Sequence, residues 1–232
     1  MNTAGWIPLE IIARSWETSS LVYLKTAPQA EGARIDFRAG QLIKILSPQG
    51  HESIFALAGE SEEKRFTEFL IKDHETGAAH ELCRLQVGDQ IKVGPPFGRG
   101  YPLERLKNKD LLLVGMGSAL APLRSLLKSV LRRDQQFGKI TFLYGARTPE
   151  DIPLKKEFDV WAKKIDLRFT ISCPGSSTCT GFLGRVTGLL PQLSFDPHKT
   201  IACICGTKKM QEEVTNLLET TGFSKENVLT NY

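Results

Sequence analysis

One stretch of the chain combines small residues with a helix-forming segment in an order that suits phosphate binding. It runs from Asp110 to Arg133, DLLLVGMGSALAPLRSLLKSVLRR, and its pattern predicts a strand, a glycine turn and an amphipathic helix in succession. The turn, Gly115-Met116-Gly117-Ser118-Ala119, has few bulky side chains to shield its backbone N–H groups. A helix that begins after such a turn presents free N–H donors and partial positive charge. We therefore expect an anion site here, suited to the pyrophosphate of a dinucleotide.

The elements that hold this turn follow from the same stretch. Leu111–Val114 is too apolar to have a solvated face, which indicates a central parallel strand covered on both sides. Pro122 suits the first turn of the following helix, where its missing N–H has no partner. Apolar residues then recur at helical spacing, namely Leu123, Leu126, Leu127, Val130 and Leu131. The turn lacks the third glycine of the usual dinucleotide fingerprint, so a purely structural turn is the competing interpretation.

Composition and charge argue against several classes of protein. The chain has 232 residues, a net charge of +4 and 41% hydrophobic residues, enough for a core in one or two domains. Lys and Arg are dispersed among Asp and Glu, which argues against a nucleic-acid partner. The apolar run Leu111–Leu123 is shorter than the roughly 18 residues of a membrane span, and the N-terminus lacks a secretory pattern. Five cysteines without a framework pattern favour a cytoplasmic setting, because that compartment keeps thiols reduced.

The first part of the chain has period-two hydrophobic patterns separated by short turns, which predicts an antiparallel β-barrel or sandwich. The predicted strands are Ile7–Arg14, Leu21–Thr26, Gln41–Leu46, Ser53–Ala58, Thr67–Lys72 and Gln90–Val93. One short helix is predicted at about Ala78–Cys83. The stretch Gly94–Lys109 is rich in glycine, proline and charge, so we place a domain boundary near Arg105. This gives a barrel domain over residues 1–105 and an α/β domain over residues 106–232.

Beyond the boundary, strands and helices alternate, which is typical of a parallel sheet wrapped by helices. After Leu111–Val114, the predicted strands are Lys139–Gly145, Asp166–Ser172, Ile201–Cys205 and Asn227–Tyr232. Thr148 and Pro149 predict the start of a helix whose buried face carries Leu154, Phe158 and Trp161. A second helix, Lys208–Thr221, is predicted to end at Gly222, where a left-handed residue is favoured.

Three motifs in this order resemble the ferredoxin-NADP reductase superfamily, and the likeness covers nearly the whole chain. The family's G-T-G-I-A-P sequence corresponds to Gly117-Ser118-Ala119-Leu120-Ala121-Pro122. Its G-x-R element corresponds to Gly145-Ala146-Arg147, and its C-G-P with a nearby methionine to Cys205-Gly206-Thr207 with Met210. A terminal aromatic residue, here Tyr232, is also typical. The resemblance implies a flavin on the barrel, a nicotinamide dinucleotide at the edge of the parallel sheet, and hydride transfer between them.

The barrel departs from the family's pattern. The R-x-Y-S motif falls on Ser53-Ile54-Phe55-Ala56; in the family its arginine grips the flavin phosphates, its tyrosine packs on the ring and its serine hydrogen-bonds near the reactive nitrogen. Phe55 retains an aromatic face for stacking, whereas Ser53 and Ala56 lack the charged clamp and the hydroxyl. The family's flavin-phosphate turn resembles Gly77-Ala78-Ala79, whose backbone donors suit a pyrophosphate. This pattern resembles a divergent branch of the superfamily.

Several of these residues have a structural alternative. Cys205 either borders the nicotinamide or is a small buried residue at a strand end, and Cys203, which alternates with it, is expected in the core. Arg147 either contacts the dinucleotide phosphates or solvates a helix start. Arg124 either serves the ligand or faces solvent. Tyr232 either covers the flavin ring or is a loose chain end.

Metal chemistry and hydrolysis are disfavoured. Cys173, Cys179, Cys203 and Cys205 lack the close C-x2-C pairs of zinc sites and iron–sulfur clusters. The four histidines lie in polar stretches, where exposure is expected, and no segment resembles a nucleophile elbow. The segment Gly181–Thr187, GFLGRVT, resembles one that borders the nucleotide in the family, and a loop entering a helix explains it equally well.

Two functions are consistent with these residues. The first is an FAD-dependent NAD(P)H oxidoreductase that passes hydride from NADH or NADPH to the flavin and electrons onward to an acceptor protein or small molecule. The second, motivated by Ser53 and Ala56, is a flavin-free dinucleotide-binding or electron-relay subunit of a larger complex. The loop Cys173–Gly181 has no arginine for a ribose 2′-phosphate, which favours NAD over NADP, although Arg147 and Lys208 are alternative sources of charge.

Overall fold

A computed structural model of the chain describes residues 5–133, 136–173, 175 and 181–231. Within these ranges the chain forms an antiparallel six-stranded sheet followed by a parallel six-stranded sheet. The predicted combination of an N-terminal barrel and a C-terminal α/β domain is confirmed. The boundary near Arg105 stays a prediction; it falls in a short helix, α2 (Leu103–Leu106), between the two sheets.

The first sheet is a closed barrel with the strand order β4-β3-β6-β1-β2-β5. Its strands are β1 (Ile7–Thr18), β2 (Leu21–Pro28), β3 (Leu42–Leu46), β4 (Glu52–Ala56), β5 (Thr67–Lys72) and β6 (Gln90–Val93). A bridge between Leu57 and Phe69 joins the ends of the sheet, because the chain beyond β4 turns back onto β5. Helix α1 (Gly77–Arg84) lies between β5 and β6 in the chain.

The second sheet has the strand order β10-β9-β8-β7-β11-β12, with every pair parallel. Its strands are β7 (Asp110–Met116), β8 (Ile140–Ala146), β9 (Asp166–Ile171), β10 (Phe182–Leu183), β11 (Thr200–Cys205) and β12 (Val228–Thr230). The remaining helices are α3 (Leu120–Arg132), α4 (Lys155–Trp161), α5 (Val186–Leu189) and α6 (Lys208–Thr220). None of the helices in the described ranges is both long enough and apolar enough to cross a membrane.

The strand order reverses at the centre of this sheet. The chain builds β8, β9 and β10 on one side of β7, and then returns to build β11 and β12 on the other side. In open α/β sheets, ligands bind in the crevice outside the carboxyl ends of the strands at such a reversal. The turns that follow β7 and β11 are therefore the expected binding elements of the sheet.

The helix predicted from Thr148 onward is divided in two. Thr148 donates from its backbone N and its Oγ1 to Asp151 Oδ2, each at 3.0 Å, and this caps a single 3₁₀ turn at Pro149–Asp151. Ile152 precedes Pro153 and is extended (φ −83°, ψ 109°), because a following proline disfavours helical geometry. The α-helix begins only at Lys155, after Leu154 has taken a left-handed conformation with φ 51°.

The two domains share buried apolar surface. The barrel has its own core, in which alternate residues of its strands, such as Leu9 and Ile11, are fully buried. A second cluster combines Leu21 and Leu70 of the barrel with the buried face of α3. This shared cluster fixes the barrel against the sheet and leaves a cleft on one side.

Candidate functional site

A cleft of about 770 Å³ lies between the barrel and the carboxyl edge of the parallel sheet. From the sheet it is lined by the turns after β7, β8 and β11, and from the barrel by β4, the turn between β1 and β2, the end of β5 and the start of α1. The predicted site residues that line it are Ser53, Ile54, Phe55, Ala56, Ala79, Gly117, Ser118, Ala119, Pro122, Arg147, Cys205 and Gly206. Motifs that are as far apart in the chain as Ser53 and Gly206 therefore meet at one place.

The glycine turn after β7 opens onto this cleft. Gly117 has φ +54°, and a Cβ at this position would have no atom of the described residues within 4 Å. Tyr144 donates its hydroxyl to Gly117 O at 3.0 Å, which holds the turn from behind. The backbone is thus open to a ligand at the start of α3, where free N–H groups favour an anion. The side chain of Leu120, by contrast, is fully buried in the shared core and does not line the cleft, so its part in holding the pyrophosphate stays a prediction.

The turn after β11 lies beside the glycine turn. Burial raises the pKa of the Cys205 thiol to about 12, so this side chain is a neutral thiol at the cleft wall. At Gly206 a Cβ would overlap Met210 Cε, and Met210 itself is buried against the sheet. Met210 therefore supports the turn from behind rather than lining the cleft. Cys203 is fully buried, which confirms its expected place in the core.

On the barrel side, the register of β4 decides which side chains face the cleft. Phe55 pairs with Ile43 and packs against the barrel core, whereas Ile54 pairs with Lys44 on the outer face and is 51% exposed. Because side chains alternate along a strand, Ile54 and Ala56 share the face that lines the cleft. Phe55 also lines the cleft and is only partly buried, so its stacking role stays a prediction, while the outward position holds the aliphatic Ile54.

The start of α1 supplies backbone donors to the same side of the cleft. Gly77 has φ +75° and is exposed, while Ala78 and Ala79 are buried in the first turn. No side chain caps this end of the helix, and its first turn has no acidic residue. Uncapped N–H groups of this kind suit an anion such as a pyrophosphate, and of these three residues Ala79 lines the cleft.

Sequence reasoning missed two basic residues of the cleft. Lys72 ends β5 and His74 follows it; both are exposed, and neither has an ion-pair partner among the described residues. A signal for them was present in the sequence, because they lie between the end of a predicted strand and the predicted helix Ala78–Cys83. On the sheet side, Arg147 also lines the cleft with an exposed side chain.

Arg124 neither faces solvent nor lines the cleft, so both predicted alternatives were wrong. It is 1% exposed, and its guanidinium lies between the two domains. Its Nε and Nη2 donate to both carboxylate oxygens of Glu157 at 2.7 and 2.6 Å, and its Nη1 donates to Glu68 Oε2 at 2.8 Å and to Ala58 O at 2.6 Å. Sequence alone does not indicate such a group, because its partners lie 33 to 66 residues away.

The barrel-side rim of the cleft carries unpaired positive charge, and we call Arg38, Phe97 and Arg99 the basic rim. Phe97 is 37% exposed and pairs with Leu42, which lines the cleft. Gln41 joins the two loops of the rim, because it accepts from Arg38 N at 2.8 Å and donates to Gly98 O at 2.9 Å. Neither arginine has an ion-pair partner within the described part of the chain.

The end of the chain also reaches the cleft. Asn231 is buried, lines the cleft and donates from Nδ2 to Gly40 O at 3.3 Å. Tyr232, predicted to cover the flavin ring, lies outside the described residues, as does Cys179. Among the residues that are described, no group of three His, Cys, Asp or Glu side chains is arranged to hold a metal ion.

Comparison with known proteins supports this geometry. Residues 113–216 match the family model described as the oxidoreductase NAD-binding domain. The reductase component of propane 2-monooxygenase from Mycolicibacterium smegmatis is 30% identical over 241 residues, covering 97% of this chain and 68% of that protein. Sulfhydrogenase 1 subunit gamma from Pyrococcus furiosus is 27% identical over 217 residues, covering 91% and 73%. A ferredoxin NADP+ reductase structure from Neisseria gonorrhoeae superposes with a TM-score of 0.80 at 18% identity, covering 98% of each chain.

The fold and the cleft thus define an NAD(P)H-dependent flavin oxidoreductase, in which a barrel and a parallel sheet face each other across one binding site. The chain belongs to the ferredoxin reductase superfamily of FAD- and NAD(P)-binding oxidoreductases.

Proposed function

We propose that the cleft between the barrel and the sheet binds FAD on the barrel side and NADH or NADPH on the sheet side, and that the chain delivers electrons to a separate acceptor. One observation carries the proposal: the turns after β7 and β11 and the outer face of β4 line the same cleft. A flavin held by the barrel side would supply the redox chemistry, namely acceptance of a hydride from the nicotinamide and delivery of its two electrons to the acceptor.

The sheet-side residues bind and orient the nucleotide. Gly117, Ser118 and Ala119 present backbone donors to the pyrophosphate, and Pro122 belongs to the helix turn that holds them in place. Arg147 adds a positive charge at the neighbouring strand end. Cys205 and Gly206 border the nicotinamide as a small neutral surface. Because burial raises the pKa of Cys205, its thiol is uncharged at neutral pH and shapes the site as a small neutral side chain.

The barrel-side residues hold the flavin by backbone and aliphatic contacts. The first turn of α1, Gly77–Ala79, binds the phosphates, with Lys72 as nearby positive charge and His74 as a nearby hydrogen-bonding group. Ile54 and Ala56 supply the surface against which the ring system lies. Because Ser53 stands where the family has its charged clamp and Phe55 packs in part against the barrel core, we expect FAD to be bound less tightly than in relatives with the full motif.

The acceptor is a protein that docks at the basic rim. Several relatives are named as reductase components or as cytochrome b5 reductases, which are named for a protein acceptor. Arg38 and Arg99 offer unpaired positive charge around the exposed ring of Phe97, which complements an acidic face with an apolar centre.

NADH is the preferred donor, because the loop Cys173–Gly181 lacks an arginine. Free cysteines at positions 83, 173, 203 and 205 suit the cytoplasm.

The proposal is tested by FAD-dependent oxidation of NADH and NADPH with an uncharged quinone such as menadione as acceptor. We expect turnover that is absent without FAD and saturates as FAD is added. Nucleotide binding without FAD uptake and without turnover would replace the proposal with the flavin-free relay subunit.

A further inference from the structure

The guanidinium of Arg124 connects two helices of the α/β domain with two segments of the barrel. It lies on α3, which begins directly after the glycine turn, and it forms a two-pronged ion pair with Glu157 on α4. Its other end reaches the barrel, where it binds Glu68 of β5 and the carbonyl oxygen of Ala58. Ala58 follows Ala56, the last residue of β4, by two positions. One side chain thus joins the helix of the nucleotide side to the strand of the flavin side.

This connection has little freedom. Four of the five N–H groups of the guanidinium are engaged, counting both on Nη1. Glu68 is held further by the Tyr23 hydroxyl at 2.6 Å and by Lys128 Nζ at 3.1 Å. Breaking one partner away from a buried ion pair leaves an uncompensated charge and costs several kcal/mol. A shift of α3 against the barrel therefore carries Ala58 and β5 with it, or breaks these bonds.

A second interdomain ion pair on the same helix differs in its position. Arg132, at the far end of α3, pairs with Glu60 of the barrel at 2.5 Å, and its side chain is 53% exposed. It reaches Glu60, two residues beyond Ala58, through an exposed side chain, and it pairs with neither Glu68 nor Glu157. Both arginines therefore attach α3 to the segment after β4, but only Arg124 is buried and also joins α4 and β5.

We propose that Arg124 is a positioning residue that couples the two halves of the cleft, so that binding of the nucleotide at the glycine turn changes the affinity for FAD at β4 and α1. This inference rests on the proposed function. The coupling is reciprocal, because two ligands of one protein change each other's affinity by the same factor.

The test measures the dissociation constant of FAD with and without saturating NAD+, and with NADP+ in parallel. The oxidised nucleotides are used because they bind without turnover. For the native protein we expect the two FAD constants to differ about tenfold, within the usual range of coupling between sites. In R124M we expect the ratio to fall to about one, whereas in the matched control R132M it should stay at the native value.

Because R124M leaves Glu68 buried without its main partner, two milder variants accompany it. E157Q keeps the shape of Glu157 but removes its charge, and R124K keeps the charge but loses the two-pronged geometry. Both should reduce the ratio at least by half while the proteins remain folded in a melting experiment. Native-like ratios in R124M and E157Q, or a native protein that binds both ligands independently, would overturn the inference alone. A native protein that binds neither FAD nor a nucleotide would overturn the proposed function with it.

Discussion

Gly115 and Cys205 are register partners on neighbouring parallel strands, β7 and β11. Both strands end within one residue of this pair, so the glycine turn and the Cys205-Gly206 turn leave the sheet side by side. A Cβ at Gly115 would overlap Leu123 Cδ1, which shows that glycine here allows α3 to pack closely on the sheet. The result is an open helix start and a small neutral side chain at the point where the strand order reverses.

Substitution of Gly117 tests the nucleotide side. In G117V, a branched side chain would project into the open space over the turn, where the pyrophosphate is proposed to bind. We expect the dissociation constant for NADH to rise by at least about tenfold, a loss of roughly 1.4 kcal/mol, with FAD affinity unchanged. G32V is the matched control, because Gly32 also has positive φ and open surroundings but lies outside the cleft. Native nucleotide affinity in G117V would contradict the assignment of this turn.

Substitution of Ile54 tests the flavin side. I54Y places an aromatic ring on the outward face of β4, and we expect FAD to bind about 2- to 12-fold more tightly, the equivalent of about 0.5–1.5 kcal/mol of stacking. The fluorescence of FAD should also be quenched more strongly on binding to I54Y than on binding to the native protein. V87Y, at a residue that is 60% exposed outside the cleft, is the control and should change neither property. Equal FAD affinity in I54Y and the native protein would place the flavin elsewhere.

The ion pairs of Glu68 predict a dependence of stability on pH. Burial by itself would raise the pKa of Glu68, but the charge and hydrogen bonds of Arg124, with Lys128 and Tyr23, outweigh it and lower this pKa from 4.5 to about 2. A carboxylate with a lowered pKa stabilises the folded state above pH 4.5, and this contribution is lost as the pH falls toward 2.

The free energy of unfolding should therefore fall by on the order of 3 kcal/mol from this group alone between pH 5 and 2. In E68Q the fall should be smaller, so that the stability curves of E68Q and the native protein converge at low pH. Denaturant titrations at several pH values measure this, with the exposed E212Q as a control that should follow the native curve. Parallel curves for E68Q and the native protein would show that the buried pair does not stabilise the fold.

The basic rim predicts how the acceptor is recognised. In a double variant R38Q/R99Q, electron transfer to an acidic [2Fe–2S] ferredoxin should slow at least about fivefold at low salt, because long-range attraction raises association rates. Transfer to menadione, which is uncharged, should stay at the native rate. An effect of equal size on both acceptors would show that the arginines serve the cleft and not docking.

Much of the fold could be predicted from local sequence patterns, whereas features that depend on contacts between distant residues could not. The strand Thr67–Lys72 and the turn at Gly117 were predictable because period-two hydrophobicity and small residues act within a few positions. The partial packing of Phe55 against the barrel core was not predictable, because the face that each side chain of β4 takes depends on its register with β3. Arg124 was not either, because its buried state depends on carboxylates that only the packed domains bring to it.

The most direct test of the central claim is the visible absorption spectrum of the protein mixed with FAD, before and after anaerobic addition of NADH or NADPH. If the cleft binds both groups face to face, the flavin band near the oxidised maximum should bleach within seconds with the preferred nucleotide. The G117V variant should retain the oxidised band at the same nucleotide concentration. Protein-bound FAD that neither nucleotide reduces would contradict the claim that the two turns of the sheet and the outer face of β4 form one electron-transfer site.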